Sequence, residues 1–479
     1  MQTLPFLIDN TWSTGSGKPF DSINPADGSV LATVAGASAA DVNAAVVAAR
    51  KAFAAPSWRD LKPHDRASLL YRMSELMTRQ QEALAVLQMQ DNGKTLSECR
   101  AQVASAASTF RYYAAACETF ESPVTPSRGA YWTVTLYEPV GVVAAITPWN
   151  SPVTLEAQKL APILAAGNTV VLKPSDVTPM MGLAYARLAL EAGFPPGVVN
   201  VITGGAETGQ QLIEHPGIAM VSFTGGTATG RLIAKTCGAA LKPVALELGG
   251  KSPNIVFADA DLKKAIAGTA EGIFSGAGQS CIAGSRIFVQ QAIYDRFLEG
   301  LRQYAEGYRM GEPDQADTRT GPLASFKHRD HVHRYVELGR SEGAQVLTGG
   351  VIPTDPALRR GAYYPATILA GVSNGSRVCQ EEIFGPVAVV LPFADESDLI
   401  AQANDSDFGL ASGIWTSDFS RAWRVARALE TGTVWINTYK QLSITTPFGG
   451  VKDSGIGTEK GLQGMRVYMH SKGLYWGLN

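Results

Sequence analysis

The sequence predicts an α/β protein with a parallel sheet, a second α/β unit and a small bridging β-hairpin. Three observations carry this expectation. Between Pro139 and Leu248, short buried-type runs alternate with helical patterns at the pitch of βαβ units. Beyond Gly249 the same alternation returns in a looser form. Residues Pro123 to Tyr137 alternate with a period of two (Tyr131, Thr133, Thr135, Tyr137), as an exposed hairpin does.

Taken in order, Ala39 to Ala54, Arg66 to Asn92 and Ser97 to Glu118 carry apolar residues at helical spacing. The run Val142 to Ile146 reads as a strand and Pro152 to Ala166 as a helix. Strand Thr169 to Leu172, helix Pro179 to Ala192, strand Val198 to Ile202 and helix Ala206 to Glu214 follow. The unit closes with Ala219 to Phe223, Thr227 to Thr236 and Pro243 to Leu246. In the second unit, Asn254 to Phe257, Arg286 to Val289, Val387 to Leu391 and Ser412 to Trp415 are the expected strands. Its helices are Ala260 to Gly272, Ala292 to Gly307 and Phe419 to Leu429. The tail, Val467 to Leu478, reads as a further strand, and no internal repeat is present.

Composition narrows the function classes. With 41 basic and 43 acidic residues the net charge is −2, so there is no electrostatic field for nucleic acid or an anionic membrane. Charged residues at 18% and hydrophobic residues at 45% exclude wholesale disorder. The longest apolar stretch, Val140 to Trp149, is well short of the roughly 20 residues that cross a bilayer. Met1 to Asn10 lacks the basic start of a signal peptide. Five widely spaced cysteines without a CxxC fit free thiols in a reducing compartment, so a cytoplasmic protein is expected.

Several motifs bear on chemistry. Phe223-Thr-Gly-Gly-Thr-Ala-Thr-Gly230 joins a strand to a helix; it reads equally as a phosphate-binding loop or as a tight turn. Cys281 lies in the Gly-rich turn Gly276-Ala-Gly-Gln-Ser-Cys281. A helix after that turn would expose the sulfur and lower its pKa, whereas the alternative is a buried structural thiol. Glu247 ends the last strand of the first unit, either facing a crevice or else capping a helix or pairing with Lys251. Glu382, in Gln380-Glu-Glu-Ile-Phe-Gly-Pro386, has the same two readings. His328, His331 and His333, flanked by Lys327, Arg329 and Arg334, read as a solvated helix face, so no metal site is expected. There is no G-x-S-x-G elbow.

Together these segments resemble the aldehyde dehydrogenase superfamily over nearly the whole chain. The resemblance rests on Pro148-Trp-Asn150, Lys173-Pro-Ser-Asp176, Phe223-Thr-Gly-Gly226, Glu247-Leu-Gly-Gly-Lys251, Gly278-Gln-Ser-Cys281, Glu381-Glu-Ile-Phe-Gly-Pro386 and Pro447-Phe-Gly-Gly450. It implies a Rossmann-like NAD(P)-binding domain (1–119 and 139–247) and a catalytic domain (248–449). Bridging segments at 120–138 and 450–479 would join copies into a homodimer or homotetramer.

The resemblance also implies roles. Cys281 attacks the aldehyde carbon, and the Asn150 amide with the Cys281 N–H holds the oxyanion, one donor being worth roughly 3–4 kcal/mol. Glu247 activates the water that hydrolyses the thioester; its presence argues for release of a free acid rather than acyl transfer. Glu459 matches a second carboxylate that passes protons from Glu247, although Thr458 stands where the family usually carries Arg. For the cofactor, Lys173 and Glu382 reach ribose hydroxyls, and Gly225 and Gly226 lie near the pyrophosphate. Ile146, Thr147, Pro148, Trp149, Ser175, Gly205, Phe223, Thr229, Leu248 and Phe384 complete the cleft. Asp176 replaces the longer Glu common in NAD-preferring members; NAD is expected, and the extra room admits NADP. The substrate positions fall on Ser105, Ser151, Gln158, Ser275, Lys440 and Leu442. That polar set suggests a polar or carboxylate-bearing aldehyde, with Lys440 as candidate anchor. Two rivals stand beside this: a Cys281 ester or thioester hydrolase without nicotinamide, and a non-catalytic relative with a binding role.

Overall fold

The computed structural model describes residues 3–478. Its largest sheet has eight strands, in the order Thr11–Ser13, Phe6–Ile8, Val199–Val201, Thr169–Lys173, Val142–Ile146, Met220–Thr224, Val244–Glu247 and Gly455–Ile456. The central strands are parallel; the strands from the two ends of the chain add antiparallel edges. Thr169–Lys173 and Met220–Thr224 are buried throughout, as parallel strands covered by helices on both faces must be. Strand order reverses between Val142–Ile146 and Met220–Thr224, and a crevice opens beyond the carboxyl ends at such a switch point.

A second sheet has seven strands: Gln345–Thr348, Thr367–Ala370, Val387–Phe393, Arg286–Gln290, Pro253–Val256, Ala411–Trp415 and Thr433–Ile436. All are parallel except the first. One hydrophobic core surrounds the first sheet, and two clusters sandwich the second. A third sheet joins Val124–Thr125, Tyr131–Pro139 and Met469–Gly477 in antiparallel register, Met469 opposite Pro139 and Gly477 opposite Tyr131.

The structure departs from the sequence expectation in identifiable places. The periodicity from Arg66 to Asn92 hides a break at Gln80, where φ −100° and ψ 16° separate helices Pro63–Arg79 and Gln81–Asn92. No Gly or Pro marks it, because both helices keep one apolar face. Strands before Ala39, including the hairpin Gly17–Ile23 with Val30–Gly36, were not expected. Within the stretch expected to bridge copies, Gly455–Ile456 extends the first sheet, and Met465 and Tyr468 enter its core. Local sequence reports propensity; the pairings of Phe6–Ile8 with Val199–Val201 and of Gly455–Ile456 with Val244–Glu247 join residues about two hundred positions apart.

Helices Ala39–Ala54 and Leu96–Glu118 each start at a capping box. Ser38 and Thr95 accept from the N–H groups of Asp41 and Glu98, whose carboxylates accept in return. The second helix thereby anchors the segment that leads to the site, since Gly276 N–H also donates to Glu98 Oε1 (2.8 Å).

Candidate active site

The switch point assembles the site from strand ends. Ile146 leads into Thr147-Pro148-Trp149-Asn150, and Thr224 leads into Gly225 and Gly226 at the start of helix Thr227–Ala239. The Gly225 N–H donates to the Glu247 carbonyl (3.0 Å), binding two neighbouring strand ends together. Asn92 donates to the Trp149 carbonyl (2.6 Å) and holds the next residue, Asn150, in place. Asn150 is 7% exposed, and its Nδ2 donates to the Gln279 carbonyl (3.0 Å), two residues before Cys281. Gln279 in turn accepts from the Ala324 N–H through its side chain (2.8 Å), so the turn carrying Cys281 is tied down on both sides.

That turn needs glycine. Gly278 has φ +68°, and a Cβ there would sit 2.1 Å from the Gly385 carbonyl oxygen. A Cβ on Gly250 would sit 2.4 Å from the Cys281 carbonyl oxygen. The Gly250 N–H donates to Glu382 Oε1 (2.9 Å), which turns that carboxylate into the cleft. A cavity of about 220 Å³ brings together Pro148, Trp149, Asn150, Cys281, Glu382 and Phe384, with Gly225, Gly226 and Leu248 along its wall. An adjoining cleft of about 590 Å³ is lined by Ile146, Thr147, Lys173, Ser175, Asp176 and Gly205, and by Phe223 and Thr229. The fifteen residues expected around the cofactor thus fall in two connected spaces.

The electrostatics are those of a dry site. Burial, then the carboxylates of Glu382 and Glu247, push the Cys281 thiol up to about 12, outweighing the backbone N–H groups of Ile282 and Cys281 that favour thiolate. No helix follows Cys281; the chain continues to strand Arg286–Gln290, so the expected lowering by a helix terminus does not occur. Glu247 is 5% exposed, and its Oε2 has no hydrogen-bond partner. Burial and then the neighbouring Glu459 raise its carboxyl well above the ordinary range. Burial lifts Glu382 to about 7 against the Gly250 N–H and Lys251, and lowers Lys173 against Asp176. Glu459 is paired: Lys159 Nζ donates to Oε1 (2.7 Å) and Gln158 to Oε2 (2.9 Å).

The substrate positions separate. Lys440 Nζ donates to Ser275 Oγ (3.1 Å) beside the Cys281 turn. Gln158 is committed to Glu459, and Ser151 Oγ accepts from Gln102 (3.4 Å). Ser105, on the outer side of its helix, and Leu442 are exposed.

The histidine face is only partly open to solvent, His328, His331 and His333 all being half-buried. On helix Phe326–Ser341, His328 packs its ring 4.7 Å from that of Trp149, and its Nε2 bonds the Phe384 carbonyl (2.7 Å). Burial lowers its pKa to about 4. His331 lines the cavity holding Cys281. The flanking basic residues masked this in the sequence; only the i, i+3 spacing of the two histidines hints that they share a face. Glu207, in the first turn of helix Ala206–Glu214, lines the cofactor cleft beside Asp176 and was also missed.

Comparison with known proteins now gives this arrangement its class. The aldehyde dehydrogenase family profile matches residues 12–474. The chain belongs to the aldehyde dehydrogenase family. It is an NAD(P)-dependent oxidoreductase acting on aldehydes, and its α/β fold matches that family's solved structures. It is similar to a betaine aldehyde dehydrogenase of Bacillus subtilis, 41% identical over 99% of this chain and 97% of that protein. It is also similar to a (Z)-2-((N-methylformamido)methylene)-5-hydroxybutyrolactone dehydrogenase of Acinetobacter baylyi, 44% identical over 98% and 96%. The NAD+ complex of a Bacillus cereus aldehyde dehydrogenase superposes with a TM-score of 0.97, 39% identity, and coverage of 100% of this chain and 97% of that one.

Proposed function

We propose that Cys281 is the nucleophile, Asn150 an oxyanion donor and Glu247 the general base of a hydrolytic, NAD-preferring oxidation of a polar aldehyde. The reading is carried by one observation: Cys281 and Asn150 share a cavity with Glu382, Gly225 and Gly226, while a buried Glu247 oxygen stands without a partner. As Cys281 Sγ adds to the carbonyl carbon, its S–H proton passes to the Glu247 carboxylate and from there out of the site, and the C=O electron pair leaves the negative charge on the oxygen. Asn150 Nδ2, already donating to the Gln279 carbonyl, has a second N–H for that oxyanion. Glu247 then takes a proton from the water that attacks the thioester; burial and the neighbouring Glu459 make it a stronger base than an ordinary carboxylate. Lys159 holds Glu459 in position to share a proton with Glu247.

The residues fit a nicotinamide dinucleotide. Among the described residues, Lys173 Nζ is buried with only the Pro174 carbonyl as partner (3.2 Å), the buried Thr224 hydroxyl has none, and a Cβ on Gly226 would meet nothing within 4 Å. A nicotinamide held there would supply the acceptor for the hydride lost by the substrate carbon. Lys173 and Glu382 would hold ribose hydroxyls, and Gly225 and Gly226 would leave room for the pyrophosphate. Asp176 and Glu207 on the same wall repel a 2′-phosphate, favouring NAD over NADP.

Residues 1–119 and 139–247 form the cofactor domain in this reading and 248–449 the catalytic one. The exposed Trp132, Leu474, Tyr475 and Trp476 on the third sheet offer an apolar edge to a second copy, giving a homodimer or homotetramer. No helix among the described residues is long and apolar enough to cross a membrane. Five free cysteines support a cytoplasmic location.

The test follows NADH formation across short aliphatic, aromatic, hydroxylated and carboxylated aldehydes. Cys281→Ala is expected to abolish turnover. Glu247→Gln is expected to give a burst of about one NADH per site and then stall, since acylation outruns deacylation. Cys281-dependent ester hydrolysis with no cofactor reduction by any aldehyde would overturn the assignment.

A further inference from the structure

We propose that Arg286 and Gln380 are positioning residues for the cofactor site, clamping from two sides the carboxylate of Glu382. The inference rests on the reading of Glu382 as a ribose ligand and names the residues that hold it in register.

Glu382 has little that fixes it directly. Among the described residues its carboxylate accepts one hydrogen bond, from the Gly250 N–H (2.9 Å). A Cβ on Gly249 would lie 2.5 Å from Glu382 Oε2, so the carboxylate rests against that backbone. Where the loop Gly249 to Lys251 goes, the carboxylate follows. The preceding residue behaves differently: Glu381 accepts from Arg377 Nε (2.6 Å) and from the Tyr335 hydroxyl (2.6 Å), and so is satisfied by its own surroundings.

Arg286 holds the loop. It opens strand Arg286–Gln290 and is fully buried. Its Nε donates to the Lys251 carbonyl (2.9 Å), at the end of the loop. Nη1 donates to Asn374 Oδ1 (3.0 Å) and to the Gln402 and Asp405 carbonyls (3.2 Å each), and Nη2 donates to the Ala403 carbonyl (2.8 Å). Every one of these acceptors is a carbonyl oxygen. Gln402 and Ala403 lie in the last turn of helix Glu396–Asn404, the negative end of its dipole. A buried guanidinium is costly, and an apolar side chain would fill the same space. What the guanidinium adds is a rigid fork that ties the loop to the end of that helix.

Gln380 reaches the same point from the other side. It stands just before the two glutamates, and its Nε2 donates to the Asn374 carbonyl (2.7 Å) and the Asp405 carbonyl (3.0 Å). Asn374 Nδ2 in turn donates to the Gln402 carbonyl (3.0 Å) and Asp405 Oδ2 (3.1 Å). The Asp405 carbonyl therefore receives both Arg286 and Gln380. The loop that touches the carboxylate and the segment that bears it are referenced to one hub. Hydrogen bonds weaken steeply with misalignment, so a slip of either arm is read at the ribose.

The test measures Kd for NAD+, and KM for the aldehyde, on variants whose folding is verified by circular dichroism. Glu382→Gln should weaken NAD+ binding by about tenfold to a hundredfold, the range for a hydrogen bond to a charged group. Arg286→Met and Gln380→Met should each weaken it by about threefold to tenfold, the worth of one ordinary hydrogen bond, with KM for the aldehyde unchanged. In the Glu382→Gln background neither substitution should weaken NAD+ binding further, because both act through that carboxylate. Gln380 is half-buried and uncharged, so Gln380→Met carries the test where Arg286→Met fails to fold. A wild-type Kd in either folded variant, or losses that add in full in the Glu382→Gln background, overturns the clamp and leaves the reading of Glu382 standing. A lowered Tm at unchanged Kd does the same, since the two side chains would then serve stability alone. An unchanged Kd in Glu382→Gln itself is a different result, which removes the ribose assignment and the clamp with it.

Discussion

The free enzyme is expected to hold Cys281 as a thiol, and the degree is set by its surroundings. Burial and the carboxylates of Glu382 and Glu247 move it from 9.0 to about 12. Three units at about 1.4 kcal/mol each is about 4 kcal/mol against ionisation. At pH 8 the thiolate fraction is then about 10⁻⁴, against about 10⁻¹ for a thiol at the starting value. Iodoacetamide alkylation reads this population, and mass spectrometry of the Cys281 peptide separates it from Cys99, Cys117, Cys237 and Cys379, which are buried. The second-order rate constant should rise about tenfold per pH unit from pH 7 to 10 without a plateau. Glu382→Gln removes the larger of the two carboxylate effects and should raise the rate at pH 8 more than Glu247→Gln does. A plateau below pH 9 in the wild-type free enzyme would refute the argument, because it would mean that burial and like charge do not govern this sulfur.

Two further outcomes follow from other parts of the site. Lys159→Met leaves Glu459 buried with only Gln158 as partner and should cost about 3–5 kcal/mol of stability, read from urea midpoints. Adding Glu459→Gln should restore much of that loss, and a single variant as stable as wild type would show the pair to be dispensable. Asp176→Ser combined with Glu207→Arg should shift the NADP+/NAD+ ratio of kcat/KM upward at least tenfold, since it removes two like charges from the ribose end and adds a phosphate partner. An unchanged ratio would place cofactor choice elsewhere.

Much of this protein can be read along the chain. The βαβ alternation from Val142 to Glu247 follows from buried β-branched runs separated by helices, a pattern carried by residues a few positions apart. Glu247 at a strand end and Cys281 in a glycine-rich turn are legible for the same reason: local chemistry demands those residue types in that order. The packing of His328 and His331 was not legible, because their basic neighbours look like a solvent-facing helix, whereas His328 is covered by Trp149 and Phe384 and His331 packs on His328 and Tyr335. Lys460 carries no local signal at all. Its position against Phe448 exists only once the segment after Gly450 returns to the first sheet. Gln158, which aligns with the substrate wall, instead holds Glu459 301 positions away. Sequence alone therefore indicated the layers through short-range patterns, while the candidate nucleophile, base and cofactor residues came from the resemblance of its motifs to the aldehyde dehydrogenase family. Tertiary structure decided the environment of Cys281 and the pairing of Glu459 with Lys159. Those depend on burial and on distances between charges far apart in the chain, which no local pattern encodes.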